Sequence, residues 1–126
     1  MRSQSEMART SSVRDARRDL ALAIQAASDK KAENIVALDL RGVASFTDYF
    51  LICSGTSTRQ VQAIAEAILE KLEEHGTRPL HVEGEVVAQW ILIDYGDLVV
   101  HVFEQSAREY YDLERLWRDA ERLPIP

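Results

Sequence analysis

The sequence predicts an α/β (α+β) fold, a single domain in which a mixed sheet of about five strands is flanked by helices. Three observations lead there. Apolar residues recur at helical spacing in three stretches, 13–27, 61–72 and 110–117. Short runs of strand character lie between them, and two of these, Ile35 to Leu40 and Tyr49 to Cys53, are almost continuously apolar, as buried strands are. Lastly, 126 residues at 14.3 kDa are the size of one ordinary domain, with a composition able to bury a core. The order α, β, β, α, β, β, β, α then packs helices on a sheet.

Taken in order, the first helix carries Val13, Ala16, Leu20, Ile24 and Ala27 on one stripe and ends near Ser28 to Lys31. Ile35 to Leu40 and Tyr49 to Cys53 follow as strands, and the short link between them makes them antiparallel neighbours. Ser57-Thr58-Arg59-Gln60 fits a capping box and opens a helix with the stripe Val61, Ile64, Ala65, Ile68, Leu69 and Leu72, stopped by Gly76. After an extended piece at Pro79 to Val82, strands Trp90 to Asp94 and Leu98 to Phe103 are joined by a tight turn at Tyr95-Gly96. A last helical region opens at a second capping box, Ser106 to Glu109, restarts at Asp112 and stops before Pro124 and Pro126.

Charge bounds the partners. The first twenty residues carry five arginines against three acids, a balance of +2, so with the whole chain at −6 residues 21–126 stand at −8. An acidic body disfavours nucleic acid as the primary contact, because affinity for a phosphate backbone comes from Lys and Arg displacing counterions. A basic protein surface is the natural partner. The Arg- and Ser-rich head, Met1 to Val13, reads as a frayed bacterial N-terminus, with Met7 as an alternative start, in preference to an organelle transit peptide. The single cysteine, Cys53, cannot form an internal disulfide, and no apolar stretch is long enough for a signal or a membrane span. A protein of the bacterial cytoplasm is expected, with an organelle matrix less favoured and no membrane contact.

Few residues offer chemistry. Gly55 to Thr58 lies before a helix N-terminus and could hold an anion, but it lacks a Walker lysine and a dinucleotide-loop glycine pattern, so an ordinary capped turn explains it. Cys53 sits in an apolar run, and His75, His81 and His101 have no close paired spacing, so neither a thiol nucleophile nor a metal site is assigned. The enzymatic alternative is a nucleotidyltransferase using Mg²⁺ with Asp48 and Asp94. Two-metal chemistry usually places two carboxylates two apart on one strand, whereas Phe50 occupies the position two on from Asp48. No catalytic residue and no cofactor is assigned.

The hairpin is the most informative segment. A turn at Tyr95-Gly96 pairs Asp94 with Asp97, Ile93 with Leu98 and Trp90 with His101. One face then carries Ile91, Ile93, Leu98, Val100 and Val102, the core side, and the other Trp90, Leu92, Asp94, Asp97, Val99, His101 and Phe103. Aromatic and aliphatic residues beside charge have the composition of an interface, and the competing reading is that a helix covers this face as well.

Four strings, Asp48 to Arg59 (DYFLICSGTSTR), Val82 to Glu85 (VEGE), Trp90 to Phe103 (WILIDYGDLVVHVF) and Tyr111 to Trp117 (YDLERLW), resemble the ribosomal silencing factor, or Iojap-like, pattern in the right order across about residues 16–118. The resemblance implies a nucleotidyltransferase-like fold without catalytic residues, at 16–118, between a flexible segment 1–15 and a tail 119–126. It implies binding to the large ribosomal subunit through ribosomal protein L-fourteen, a block to subunit joining, and lowered translation when nutrients are scarce. The family's contact region matches the hairpin around Trp90. Partner-binding residues are therefore expected at Trp90 and Leu92 as apolar anchors, Asp94 and Asp97 as charge partners, and Glu83 and Glu85 as rim acids. A homodimer through the same face is a third reading.

Overall fold

One sheet with a hydrophobic layer on each side organises the chain. The computed structural model describes the backbone of residues 4–125 and the side chains of 16–125. The elements are α1 (Gln4–Asp29), β1 (Glu33–Asp39), β2 (Tyr49–Gly55), α2 (Thr58–Glu74), β3 (His81–Glu83), β4 (Trp90–Asp94), β5 (Leu98–Glu104), α3 (Gln105–Tyr111), α4 (Leu113–Leu116) and β6 (Glu121–Leu123). The strand order is β3-β4-β5-β2-β1-β6, with β2 and β5 parallel and every other pair antiparallel. This is the α+β single domain that the element order predicts, including the antiparallel β1–β2 pair.

Every residue of β2 is buried, as its unbroken apolar run requires of a strand covered on both faces. On one face α1 and α2 pack together. Leu20, Ala23, Ile24 and Ala27 of α1, with Val61, Ile64, Ile68 and Leu72 of α2, cover Ala37, Leu51, Cys53, Ile91, Ile93, Val100 and Val102. The small residues of α1 let its axis approach the sheet and α2 closely. Ser57 caps α2 by accepting the Gln60 N–H at 3.1 Å, while the Gln60 amide oxygen reaches back to Thr56 N at 2.7 Å, so the capping box closes one residue upstream of its usual partner.

Three details differ from the expectations, while the restart of the last helical region at Asp112 is found as expected. α1 begins at Gln4, inside the segment 1–15; residues 1–3, and the side chains up to Asp15, lie outside the described residues. Residues 121–123, within the stretch expected as a tail, form β6 and pair with Ala37 to Asp39 of β1, making six strands where about five were expected. Three residues before Pro124 are too few to show a period, and the strand exists because β1 offers a free edge. The N-cap of α3 is Glu104, whose carboxylate accepts the Ser106 N–H at 3.0 Å, and not Ser106 itself, because β5 runs directly into the helix. Asp112, at φ 48°, then breaks α3 from α4.

The hairpin register also differs. Trp90 pairs with Phe103, Leu92 with His101 and Asp94 with Val99, two residues on from the expected pairing. The turn residues are Gly96 and Asp97: Tyr95 N–H donates to Leu98 O at 2.8 Å, and Gly96 supplies the positive φ of 91° that the tight turn needs. Side chains alternate with period two, so a slip of two leaves each strand residue on its expected face.

Candidate functional site

The face away from α1 and α2 is where the hairpin presents its mixed residues. Strand alternation directs Trp90, Leu92 and Asp94 of β4, His81 and Glu83 of β3, and Val99, His101 and Phe103 of β5 to this side. Over its centre, Leu38, Leu40, Phe50, Ile52, Val99, Phe103 and Ala107 form a second buried cluster, with Leu113 and Trp117 of the C-terminal segment packed on it. The covering expected of a helix is present over the centre and incomplete at the margin. His101 and Phe103, expected on an outer surface, are buried, whereas Trp90 and Leu92 at the β4 margin are half-buried. The residues 105–117 are too short in helix to cover the whole sheet.

An aromatic array runs across this face. Trp90 stacks on Phe103 at 4.9 Å between ring centroids and meets Tyr111 at 4.9 Å, and Phe50 meets His101 edge-on at 4.6 Å and Trp117 at 5.7 Å. The Trp90 indole N–H donates to His101 Nδ1 at 3.1 Å. Burial holds the His101 imidazole down at about pKa 4, so it is neutral. Exposed Phe46, Leu116, Tyr110 and Tyr111 extend the apolar margin. Tyr111 and Trp117 were not singled out as site residues from the sequence, although both stand in the YDLERLW string; their contacts depend on the Asp112 break.

Of the expected charged residues, Glu83 is exposed, lies opposite Leu92 in the β3–β4 register, and pairs with His81 at 2.8 Å. Glu85 is exposed in the loop that follows, held by Gln62 Nε2 donating to its carbonyl at 3.1 Å. Val86 and Val87 beside it are 92% and 65% exposed, an apolar tip that no strand or helix period marks in the sequence. Asp94 spends one oxygen on the Gly96 N–H at 2.8 Å, an Asx-type bond that shapes the turn. Asp97 is not brought to this patch. It lines a cleft with Ala16, Asp19 and Tyr95 on the α1 side, where burial first, and then the Asp48 charge, hold its carboxyl above the usual range.

Gly84 fixes the junction between β3 and β4. At φ 87°, a Cβ here would stand 2.0 Å from the Trp90 carbonyl oxygen, so the loop closes against the anchor strand only with glycine at this position. Elsewhere, Cys53 is fully buried and its thiol is pushed up to about 12 by desolvation. Among the described residues no three His, Cys, Asp or Glu side chains converge as metal ligands, and no helix is long and apolar enough to cross a membrane.

Comparison with known proteins addresses this architecture directly. The family model described as "Ribosomal silencing factor during starvation" matches residues 13–126. A ribosomal silencing factor of Halalkalibacterium halodurans is 50% identical over 84% of this chain and 91% of its own length. That of Bacillus subtilis is 50% identical over 80% of this chain and 86% of its own length. A crystal structure of a Chromobacterium violaceum protein superposes with a TM-score of 0.80 at 35% identity, covering 87% of this chain and 91% of that one. The chain therefore belongs to the ribosomal silencing factor family, non-enzymatic ribosome-binding factors that regulate translation.

Proposed function

We propose that the protein docks on ribosomal protein L-fourteen of the large subunit through the β3–β4 margin of the aromatic face, and that its bulk there sterically blocks joining of the small subunit when nutrients are limited. The observation that carries this is the pairing of half-buried Trp90 and Leu92 with exposed Glu83 and Glu85. An apolar centre that desolvates, rimmed by acids, suits a basic protein surface. The −8 of residues 21–126 steers the encounter in the same sense and gives ribosomal RNA no primary role. Asp94 and Asp97 are the weaker partners, since one is committed to the turn and the other lines the α1 cleft. The site of action is the bacterial cytoplasm, where the ribosomes are.

Mixing the protein with purified subunits and following it on sucrose gradients tests this. Co-migration with large subunits, saturating at one protein per subunit, and inhibition of joining only when the protein precedes mixing are the expected results; co-migration with small subunits alone, or with neither, would reject the proposal. A second copy of the chain is the competing occupant of the same face, and a protein concentration dependence of the inhibition would reveal it. The transferase alternative draws no support from Asp94, which is tied into the hairpin turn.

A further inference from the structure

We infer that His101 is the positioning residue for Trp90: the neutral imidazole takes the indole N–H and selects the one orientation in which the indole meets a partner. The inference rests on the reading of Trp90 as the docking anchor and adds how that anchor is set. Trp90 Nε1 stands 3.1 Å from His101 Nδ1. An indole nitrogen only donates, so Nδ1 presents its lone pair and the ring proton sits on Nε2. Nε2 is itself buried without a hydrogen-bond partner, in a side chain whose residue is 3% exposed. An unpaired buried donor is a cost that an aliphatic or phenyl group at the same place on β5 would avoid. Among the described residues, the one polar contact that this costly group makes is the one to Trp90.

Stacking alone would not orient the indole. Trp90 lies against Phe103, with a centroid distance of 4.9 Å and an interplanar angle of 27°, and a half-turn about χ2 would keep the rings in contact while sending the N–H to the opposite side. The hydrogen bond distinguishes the two orientations. His101 is in turn braced by Phe50, whose ring meets it edge-on at 4.6 Å, and by its place on the buried strand β5. A chain of contacts from β2 through β5 to β4 thus presents one edge of the indole before any partner arrives. Such preorganisation removes the rotamer entropy that docking would otherwise have to overcome.

The test uses the full chain and isolated large subunits as the probe. His101→Phe keeps an aromatic ring and removes the acceptor, and His101→Asn returns a carbonyl oxygen near the Nδ1 position. Losing one oriented hydrogen bond should weaken binding to large subunits by about five- to tenfold in the Phe variant, and Asn should restore most of it. In the free protein, the ¹H–¹⁵N resonance of the Trp90 indole should move and exchange faster with solvent in His101→Phe but not in His101→Asn. In a Trp90→Ala background, His101→Phe should weaken binding no further. If His101→Phe does not fold, His101→Gln, whose amide sits one bond further out, must show the same loss. Normal binding by Trp90→Ala would refute the docking reading itself. Weak binding by Trp90→Ala with normal affinity in His101→Phe or His101→Gln, despite a displaced indole resonance, would overturn the positioning role alone.

Discussion

Neighbouring residues on β4 should separate folding from docking. Ile91 is 1% exposed and wedged under α2, so Ile91→Ala removes about three methylene equivalents at ~0.8 kcal/mol each and leaves a cavity, for a folding loss of about 3–4 kcal/mol. Trp90 points the other way and is half-buried. Its truncation forfeits the Phe103 stack and the His101 hydrogen bond, each worth about 1 kcal/mol, so Trp90→Ala should cost about 2 kcal/mol of stability. The order inverts for docking. As an anchor near the interface centre, Trp90 should contribute about 2–4 kcal/mol, a factor of roughly 30 to 1,000 in affinity for large subunits, while the folded fraction of Ile91→Ala binds normally. Urea denaturation followed by far-UV circular dichroism gives the first quantity, and competition against labelled wild-type protein for large subunits gives the second. If Trp90→Ala unfolds the protein while Ile91→Ala is tolerated, the face assignment is inverted and the docking surface must be sought on the α1–α2 side.

Three further outcomes are expected. Because burial sets the His101 pKa at about 4 against 6.5 for the free group, the folded state binds fewer protons between those values; its contribution is intact above about pH 6.5 and falls by about 3 kcal/mol as pH drops toward 4, a slope that denaturation at a series of pH values should lose in His101→Phe. Gly84→Ala drives a Cβ into the Trp90 carbonyl and a β-carbon residue into φ 87°, so it should cost about 2 kcal/mol or more and weaken docking together with stability; a fully stable, fully active variant would refute the close approach. Arg108, 11% exposed, joins Glu114 at 2.9 Å, Ser54 Oγ at 2.8 Å and the Asn34 carbonyl at 2.7 Å, so Arg108→Met should cost about 3 kcal/mol and raise protease sensitivity selectively after residue 104.

The occupants of the two sheet faces were legible from periodicity. Alternation in Trp90 to Asp94 and Leu98 to Phe103 divides the strand residues as the fold does, and an error of two in register leaves that division untouched. The helix stripes were equally plain, because burying Val61, Ile64, Ile68 and Leu72 requires little beyond a 3.6-residue period. The match of four ordered strings carried the family. Local pattern was therefore enough for element type, core side and membership.

What periodicity could not supply was contact between distant segments. β6 forms only because β1 has an unpaired edge, a fact absent from Glu121 to Leu123 themselves. That the C-terminal segment packs over the face in which His101 and Phe103 are buried, yet leaves Leu92 and the Trp90 that Tyr111 meets only half-buried, depends on the left-handed Asp112 and on Arg108 reaching Asn34 and Ser54. Asp97 left the expected patch because the turn moved to Gly96-Asp97, a choice made by the 2.8 Å bond from Gly96 N–H to Asp94 and by the positive φ at Gly96. The sequence by itself determined which residues could be apolar anchors and acidic rim, since side-chain direction along a strand is a local property. Only the tertiary structure decided which of them stay uncovered, because exposure depends on what the rest of the chain can reach.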